Sequence, residues 1–172
     1  MSCDRGRAGV GAAEQAAFGG TDVEAQVSLD RLRARAAHVV DGSSWRLAGG
    51  PTVSVAPARS TARSSSASNA GAKAPAAGSS ERRRPADVAV RLAPGQFDLA
   101  TLAHELAHAL AGVVRGHDAR FRAAGIDVIA VLAGRDAARA LADAYRAMGL
   151  TVAARPWPPP VRAVGDGFAI VP

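Results

Sequence analysis

Two histidines and a glutamate stand together in the segment His104-Glu105-Leu106-Ala107-His108, which has the pattern HExxH. On a helix, His104 and His108 lie about 40° apart on one face and one turn apart, so their imidazoles can reach one Zn²⁺ ion. Glu105 points to the flank of that face, where its carboxylate can hold a water beside the metal and take its proton. The spacing therefore predicts a zinc site with Glu105 as the catalytic base.

A catalytic zinc site also needs a third protein ligand and an open fourth position. His117 is the best candidate, because it follows the motif after a glycine-containing stretch that can turn the chain back. Its distance from His108 does not match the longer HExxHxxGxxH pattern. Asp127 and Asp136, farther along the chain, are the carboxylate alternatives. We expect His104, His108 and His117 to hold the metal.

A helix from about residue 99 to 113 must carry the motif. Asp98 is its expected N-cap, and a stripe of large apolar residues should lock the opposite side into the core; its members are Leu99, Leu102, Leu106, Leu110 and Val113. Two further helices are predicted, one from after Asp118 to before Gly134 and one from after Asp136 to before Gly149.

The upstream half has weaker signals. Thr21 and Glu24 form a capping box, which predicts a helix from there to about Asp41. Alternating polar and apolar residues predict short strands at 52–55 and 88–92, and a weak strand could form near Ser64. These elements are expected to pack beside the HExxH helix.

Composition sets the domain boundaries. About a quarter of the chain is alanine, so the core must be small. Residues 1–20 are rich in glycine and alanine and are expected to form a flexible tail; residues 153–172 are expected to form a proline-rich tail. Residues 58–85 contain six basic residues, one acid and no large apolar side chain, which predicts a disordered, basic, low-complexity insert. The domain itself is expected to span 21–152.

Most of the net charge of +6 comes from that insert. No aromatic residue lies within it, so the insert lacks the stacking groups that proteins use to bind single-stranded nucleic acid. A solubilising charge run is therefore favoured over a nucleic-acid contact.

The single cysteine excludes a disulfide framework and a cysteine-based zinc site. No apolar leader or membrane span is evident, so a cytoplasmic protein without a membrane partner is expected.

The HExxH segment followed by residues 116–121, GHDARF, resembles a family of small zinc metallohydrolases from high-GC Gram-positive bacteria and, more distantly, the SprT-like zincins. The resemblance covers about residues 88–150, and Asp118 stands where the family usually has glycine. It implies an α+β fold: a minimal zincin-like domain with a small antiparallel sheet packed on the HExxH helix, followed by two C-terminal helices. It also implies that His117 is the third ligand.

Together these observations predict a zinc-dependent metallohydrolase that hydrolyses amide bonds in a peptide or protein substrate. One alternative is an SprT-like, DNA-associated protease tethered by the basic insert. The other is a non-catalytic binding module in which Zn²⁺ only staples the helices. His38 is interpreted as a surface or half-buried helix residue and Tyr145 as a core residue, and neither as part of the site.

Overall fold

The computed structural model describes residues 3–70, with side chains from residue 6 onward, and residues 88–160. These residues form six helices, one 3₁₀ turn and one three-stranded sheet, which confirms the α+β class. In chain order the elements are α1 (Cys3–Phe18), the 3₁₀ turn (Asp22–Glu24), α2 (Leu29–Val40), α3 (Ser43–Leu47), β1 (Val53–Pro57), β2 (Ser66–Asn69), β3 (Val88–Leu92), α4 (Leu99–Ala111), α5 (Ala119–Leu132) and α6 (Arg135–Ala147).

Helix α1 occupies most of the segment that was expected to be a flexible tail, so that prediction is wrong over Cys3–Phe18. Val10, Ala13 and Phe18 are buried, and the helix packs against α6. Only these few apolar positions mark the buried face, and the small residues around them hide its helical spacing. A Cβ at Gly9 would lie 3.2 Å from a Leu150 methyl carbon, so small residues also allow the close packing.

The helix predicted from Thr21 to Asp41 is interrupted. The Thr21 hydroxyl accepts a hydrogen bond from the Val23 N–H and caps only the 3₁₀ turn. The chain then extends, and the Val27 N–H donates to the Phe97 carbonyl at 2.8 Å. Ser28 caps the true start of α2, which ends at Val40 close to the predicted boundary. Because the Val27 N–H is bound to Phe97, it cannot take part in a helix, and the helical segments before and after it do not form one continuous helix.

The sheet has the strand order β1-β3-β2. β1 and β3 pair in parallel, with Val53 opposite Val88, whereas β2 pairs antiparallel to β3. The sheet is therefore mixed, where the resemblance implied an antiparallel one. The connection from β1 to β3 is long and includes β2. A long connection is what allows β1 and β3 to pair in parallel, because a short turn can join only antiparallel strands. The predicted strands at 52–55 and 88–92 are confirmed.

Residues 58–70 are not the disordered start of an insert. They include β2, near the place where a weak strand was considered, and Ser65 anchors them. The Ser65 N–H and hydroxyl both donate to Gln96 Oε1, and the same hydroxyl accepts from the Ala93 N–H. The disorder prediction is therefore wrong for this part, and residues 71–85 lie outside the described residues.

Helix α4 begins at its predicted N-cap, where the Asp98 carboxylate accepts from the Thr101 N–H at 2.7 Å. It ends at Ala111, two residues early, because Gly112 adopts a φ of 106°. Of the predicted apolar stripe, Leu102 and Leu106 are fully buried and the other three are partly buried against the core. This face fixes α4 on the sheet and on α5.

The two helices after α4 match their predicted bounds closely. The buried residues of α6 are Ala138, Leu141 and Tyr145, and Met148, which directly follows the helix, is exposed. None of the described helices is long and apolar enough to cross a membrane.

Residues 153–160 carry no helix or strand, as the proline content suggests, but they do not form a detached tail. Trp157 is buried against α5, and its indole N–H donates to the Asp127 carboxylate at 2.8 Å. Arg155 donates to both oxygens of the same carboxylate. The predicted boundary at residue 152 therefore lies too early; residues 161–172 lie outside the described residues.

Candidate metal centre

Three histidine side chains converge at one end of α4. One ring nitrogen from each of His104, His108 and His117 lies within 4.8 Å of the other two. The Nε2 atoms of His104 and His117 are 3.1 Å apart. The three residues singled out from the sequence therefore come together, and no other group of three or more potential ligands occurs among the side chains described, in residues 6–70 and 88–160.

This donor set fits a metal ion. Two ligands of a tetrahedral Zn²⁺ ion with Zn–N bonds of about 2.0–2.1 Å lie about 3.3 Å apart, close to the His104–His117 separation. Two imidazole nitrogens that close must share a proton or hold a cation between them. The arrangement can therefore hold a metal ion.

The turn between α4 and α5 positions His117. Gly112 and Gly116 have φ values of 106° and 62°, which only glycine adopts readily, and they reverse the chain. Arg122 then holds the turn, because its guanidinium donates to the His117 carbonyl at 2.7 Å and to the Thr151 carbonyl at 2.6 Å. Asp118 caps α5 through the first N–H groups of that helix, so the departure from glycine at this position is accommodated.

The ring of Phe121 forms an apolar support beneath the cluster. Its centroid lies 5.0 Å from that of His104, 4.4 Å from that of His108 and 4.9 Å from that of His117. The ring is fully buried. It limits the directions in which the imidazoles can move, and it excludes water from that side.

Burial and neighbouring positive charge keep two of the imidazoles neutral. Burial, with the charge of His104, lowers the pKa of His108 to about 3. Burial and the same charge lower the pKa of His117 to about 4. Because histidine binds metals in its neutral form, both side chains are in the ligand state at neutral pH.

His104 differs because a carboxylate faces it. Its Nδ1 atom lies 2.8 Å from Oε1 and 3.1 Å from Oε2 of Glu14 on α1. Burial acts to lower the pKa of His104, but the hydrogen bond and the charge of Glu14 outweigh it, so the pKa is raised. Sequence reasoning missed Glu14, because it stands 90 residues away in a segment interpreted as a tail.

Glu105 is buried beside His104, and its carboxylate accepts a hydrogen bond from the Ala67 backbone of β2. Burial raises the pKa of its carboxyl and outweighs the charge of His104, which acts to lower it. The nearby charge of Glu14 adds to the rise, and a hydrogen bond from the Ala67 backbone opposes it. A carboxyl group with a raised pKa is suited to taking and returning a proton. Glu105 is not itself one of the three clustered side chains.

A cleft of about 870 Å³ opens onto His104 and Glu105. Helix α1 forms one wall, the chain before β2 contributes Ser64 and Ser65, and Gln96 and Thr101 line the side near the start of α4. A cleft of this volume is within the range of small-molecule binding pockets. A ligand in this cleft would reach the cluster from the Glu105 side.

The other sequence candidates lie elsewhere. Asp127 binds Arg155 and Trp157 on the far side of α5, and Asp136 is an exposed residue in the first turn of α6. His38 is exposed on α2, and Tyr145 is fully buried in the core, as both were interpreted. Neither carboxylate joins the three histidines.

The chain matches no protein-family model, and no curated protein or solved structure matches it significantly. The resemblance to small zinc metallohydrolases and SprT-like zincins therefore stays a prediction based on the motif.

Proposed function

We propose that this protein is a zinc-dependent metallohydrolase that cleaves amide bonds in peptides. The observation that supports this most is the convergence of three imidazoles beside the buried carboxylate of Glu105, at the wall of an open cleft. The basic run at 82–84, on which the DNA-associated alternative depends, lies outside the described residues.

In this proposal His104, His108 and His117 hold the metal, and the cleft leaves room for a substrate. Zinc in such a set supplies Lewis acidity, which lowers the pKa of water and polarises a carbonyl. Glu105 accepts the proton of the attacking water and delivers it to the leaving amine. The burial that raises the pKa of Glu105 brings it closer to neutral pH, where both transfers are favourable.

Metal analysis of the purified chain tests the site. We expect one zinc ion per chain, and we expect His108→Ala to lose most of it, because two ligands bind zinc far more weakly than three. His38→Ala is the matched control, since it removes an exposed histidine outside the cluster. Zinc absent from the wild-type chain, or retained equally by His108→Ala, would remove the site.

Glu105→Gln separates an enzyme from a zinc-stapled binding module. We expect this variant to keep its zinc and to lose at least about 100-fold in the hydrolysis of unfolded protein or peptides, because the amide cannot accept a proton. Asp30→Asn is the control, because it makes the same change from carboxylate to amide at an exposed residue of α2 that does not line the cleft. Unchanged hydrolysis in Glu105→Gln would refute its role. A wild-type protein that binds zinc and hydrolyses none of these substrates would favour the binding module.

A further inference from the structure

One side chain of α1 reaches the candidate metal centre from outside the motif. Both carboxylate oxygens of Glu14 lie within hydrogen-bonding distance of Nδ1 of His104, at 2.8 and 3.1 Å. The other ring nitrogen, Nε2, faces Nε2 of His117 at 3.1 Å. The two nitrogens of His104 therefore have separate neighbours: Glu14 on one side and the cluster on the other.

We propose that Glu14 is a positioning residue that holds His104 in the orientation and tautomer needed for metal binding, so that α1 is a part of the metal centre. This inference rests on the proposed zinc site. When Nδ1–H donates to the carboxylate, the lone pair of Nε2 is left directed toward the metal position. The carboxylate also makes the imidazole a stronger donor, and such partners commonly change metal affinity by about 10–100-fold.

The packing of α1 against the rest of the protein holds Glu14 next to His104. Ala13, next to Glu14, is fully buried, as is Val10 one turn earlier. At the start of the helix, a Cβ placed on Gly6 would lie 3.5 Å from the His117 carbonyl oxygen, so α1 also contacts the turn that carries the third ligand. Helix α1 is therefore held against two separate parts of the centre.

A plain surface ion pair does not explain the contact as well. The side chains of Glu14 and His104 are each only 21 % exposed, and both carboxylate oxygens face one ring nitrogen. Exposed pairs contribute little to stability and are easily broken, whereas a partly buried pair restricts the ring. The restriction matters most for a ligand whose Nε2 must bind the same metal ion as a ring nitrogen from each of two other histidines.

The test is the zinc dissociation constant of the full-length chain, measured by competition with a chromophoric chelator. We expect Glu14→Ala to weaken zinc binding by about 10–100-fold. Glu14→Gln should weaken it less, because the amide oxygen still accepts from Nδ1–H but has no charge. Glu24→Gln is the matched control: it removes a carboxylate from the same cleft without touching a histidine, and it should change the constant by less than about twofold.

Nitrogen-15 NMR of the zinc-loaded protein reports the protonation and hydrogen bonding of His104 Nδ1 directly. If Glu14 only stabilised the fold, this signal would not change when Glu14 is replaced. We expect a protonated, hydrogen-bonded Nδ1 in His104 for the wild-type chain and for Glu14→Gln, and a changed Nδ1 signal in Glu14→Ala. Wild-type zinc affinity in a folded Glu14→Ala variant would overturn the inference and leave the proposed site intact. Absence of zinc binding in the wild-type chain would instead remove the site, and the inference with it.

Discussion

Replacing Asp127 by alanine should weaken the fold without affecting the metal centre. Its carboxylate is buried, and it accepts hydrogen bonds from the Trp157 indole and the Arg155 guanidinium, all at 2.8 Å. These two donors belong to the extended segment that follows α6. Asp127 therefore fastens that segment to α5, although its place after the HExxH helix made it an alternative metal ligand in the sequence.

The expected loss can be estimated from the two contacts. Trp157 is buried, so removal of its acceptor leaves an unsatisfied N–H and costs about 1–3 kcal/mol. The Arg155 side chain is 44 % exposed, and its pair with Asp127 contributes only about 0–1 kcal/mol after screening by solvent. Asp127→Ala should therefore lower the free energy of unfolding by about 1–4 kcal/mol. Asp127→Asn should cost less, because its amide oxygen can still accept from Trp157.

Urea unfolding and zinc competition, measured on the same preparations, distinguish the two roles. Asp136→Ala is the control, because Asp136 is the other carboxylate alternative and is exposed at the start of α6; we expect a loss below about 1 kcal/mol there. Zinc affinity should stay at the wild-type value in all three variants. An Asp127→Ala protein with unchanged stability and weakened zinc binding would refute this reasoning.

Two further predictions concern titratable groups whose side chains are wholly or partly buried. The Tyr145 hydroxyl is buried with no hydrogen-bond partner among the described residues, so Tyr145→Phe should leave the free energy of unfolding unchanged or raise it by up to about 2 kcal/mol; a loss above about 1 kcal/mol in urea unfolding would reveal a partner. His108 and His117 have pKa values of about 3 and 4 in the fold, so the metal-free protein should lose stability as the pH falls from about 6.5 toward 4, where only the unfolded chain takes up their protons. The raised pKa of His104 adds no such loss in this range, because the contribution of His104 is complete below pH 6.5 and declines only at higher pH. His108→Asn should reduce the slope of the urea midpoint against pH, and an unchanged slope would contradict the assignment.

The local parts of the candidate site could be predicted from the sequence. Asp98 marks the start of α4, and the HExxH spacing places two histidines on one face of it. Glycines and Asp118 mark the turn and the next helix start, which brings His117 back within a short stretch of chain. Each of these signals acts over fewer than about five residues, where helix geometry and capping decide the structure.

The long-range parts could not. The two strands predicted at 52–55 and 88–92 do not reveal that they pair in parallel, because short alternating segments fit either direction. The break between the 3₁₀ turn and α2 depends on the Phe97 carbonyl, which is distant in the chain. Glu14 is hidden for the same reason, since nothing near it in the sequence indicates His104 as its partner.

The high alanine content explains both why helix α1 was not predicted and why the helices around the three histidines can pack closely. Alanine and glycine give little hydrophobic contrast, so α1 has few residues that mark its buried face, and the helix is missed. The same small residues let helices approach closely: a Cβ on Gly125 of α5 would lie 3.9 Å from the Ala107 Cβ of α4, within the HExxH motif itself. Larger side chains there would push α5 away from α4 and move His117, whose turn joins the two helices, away from His104 and His108. The composition that conceals α1 from sequence reasoning is thus also what permits the close packing around the three histidines.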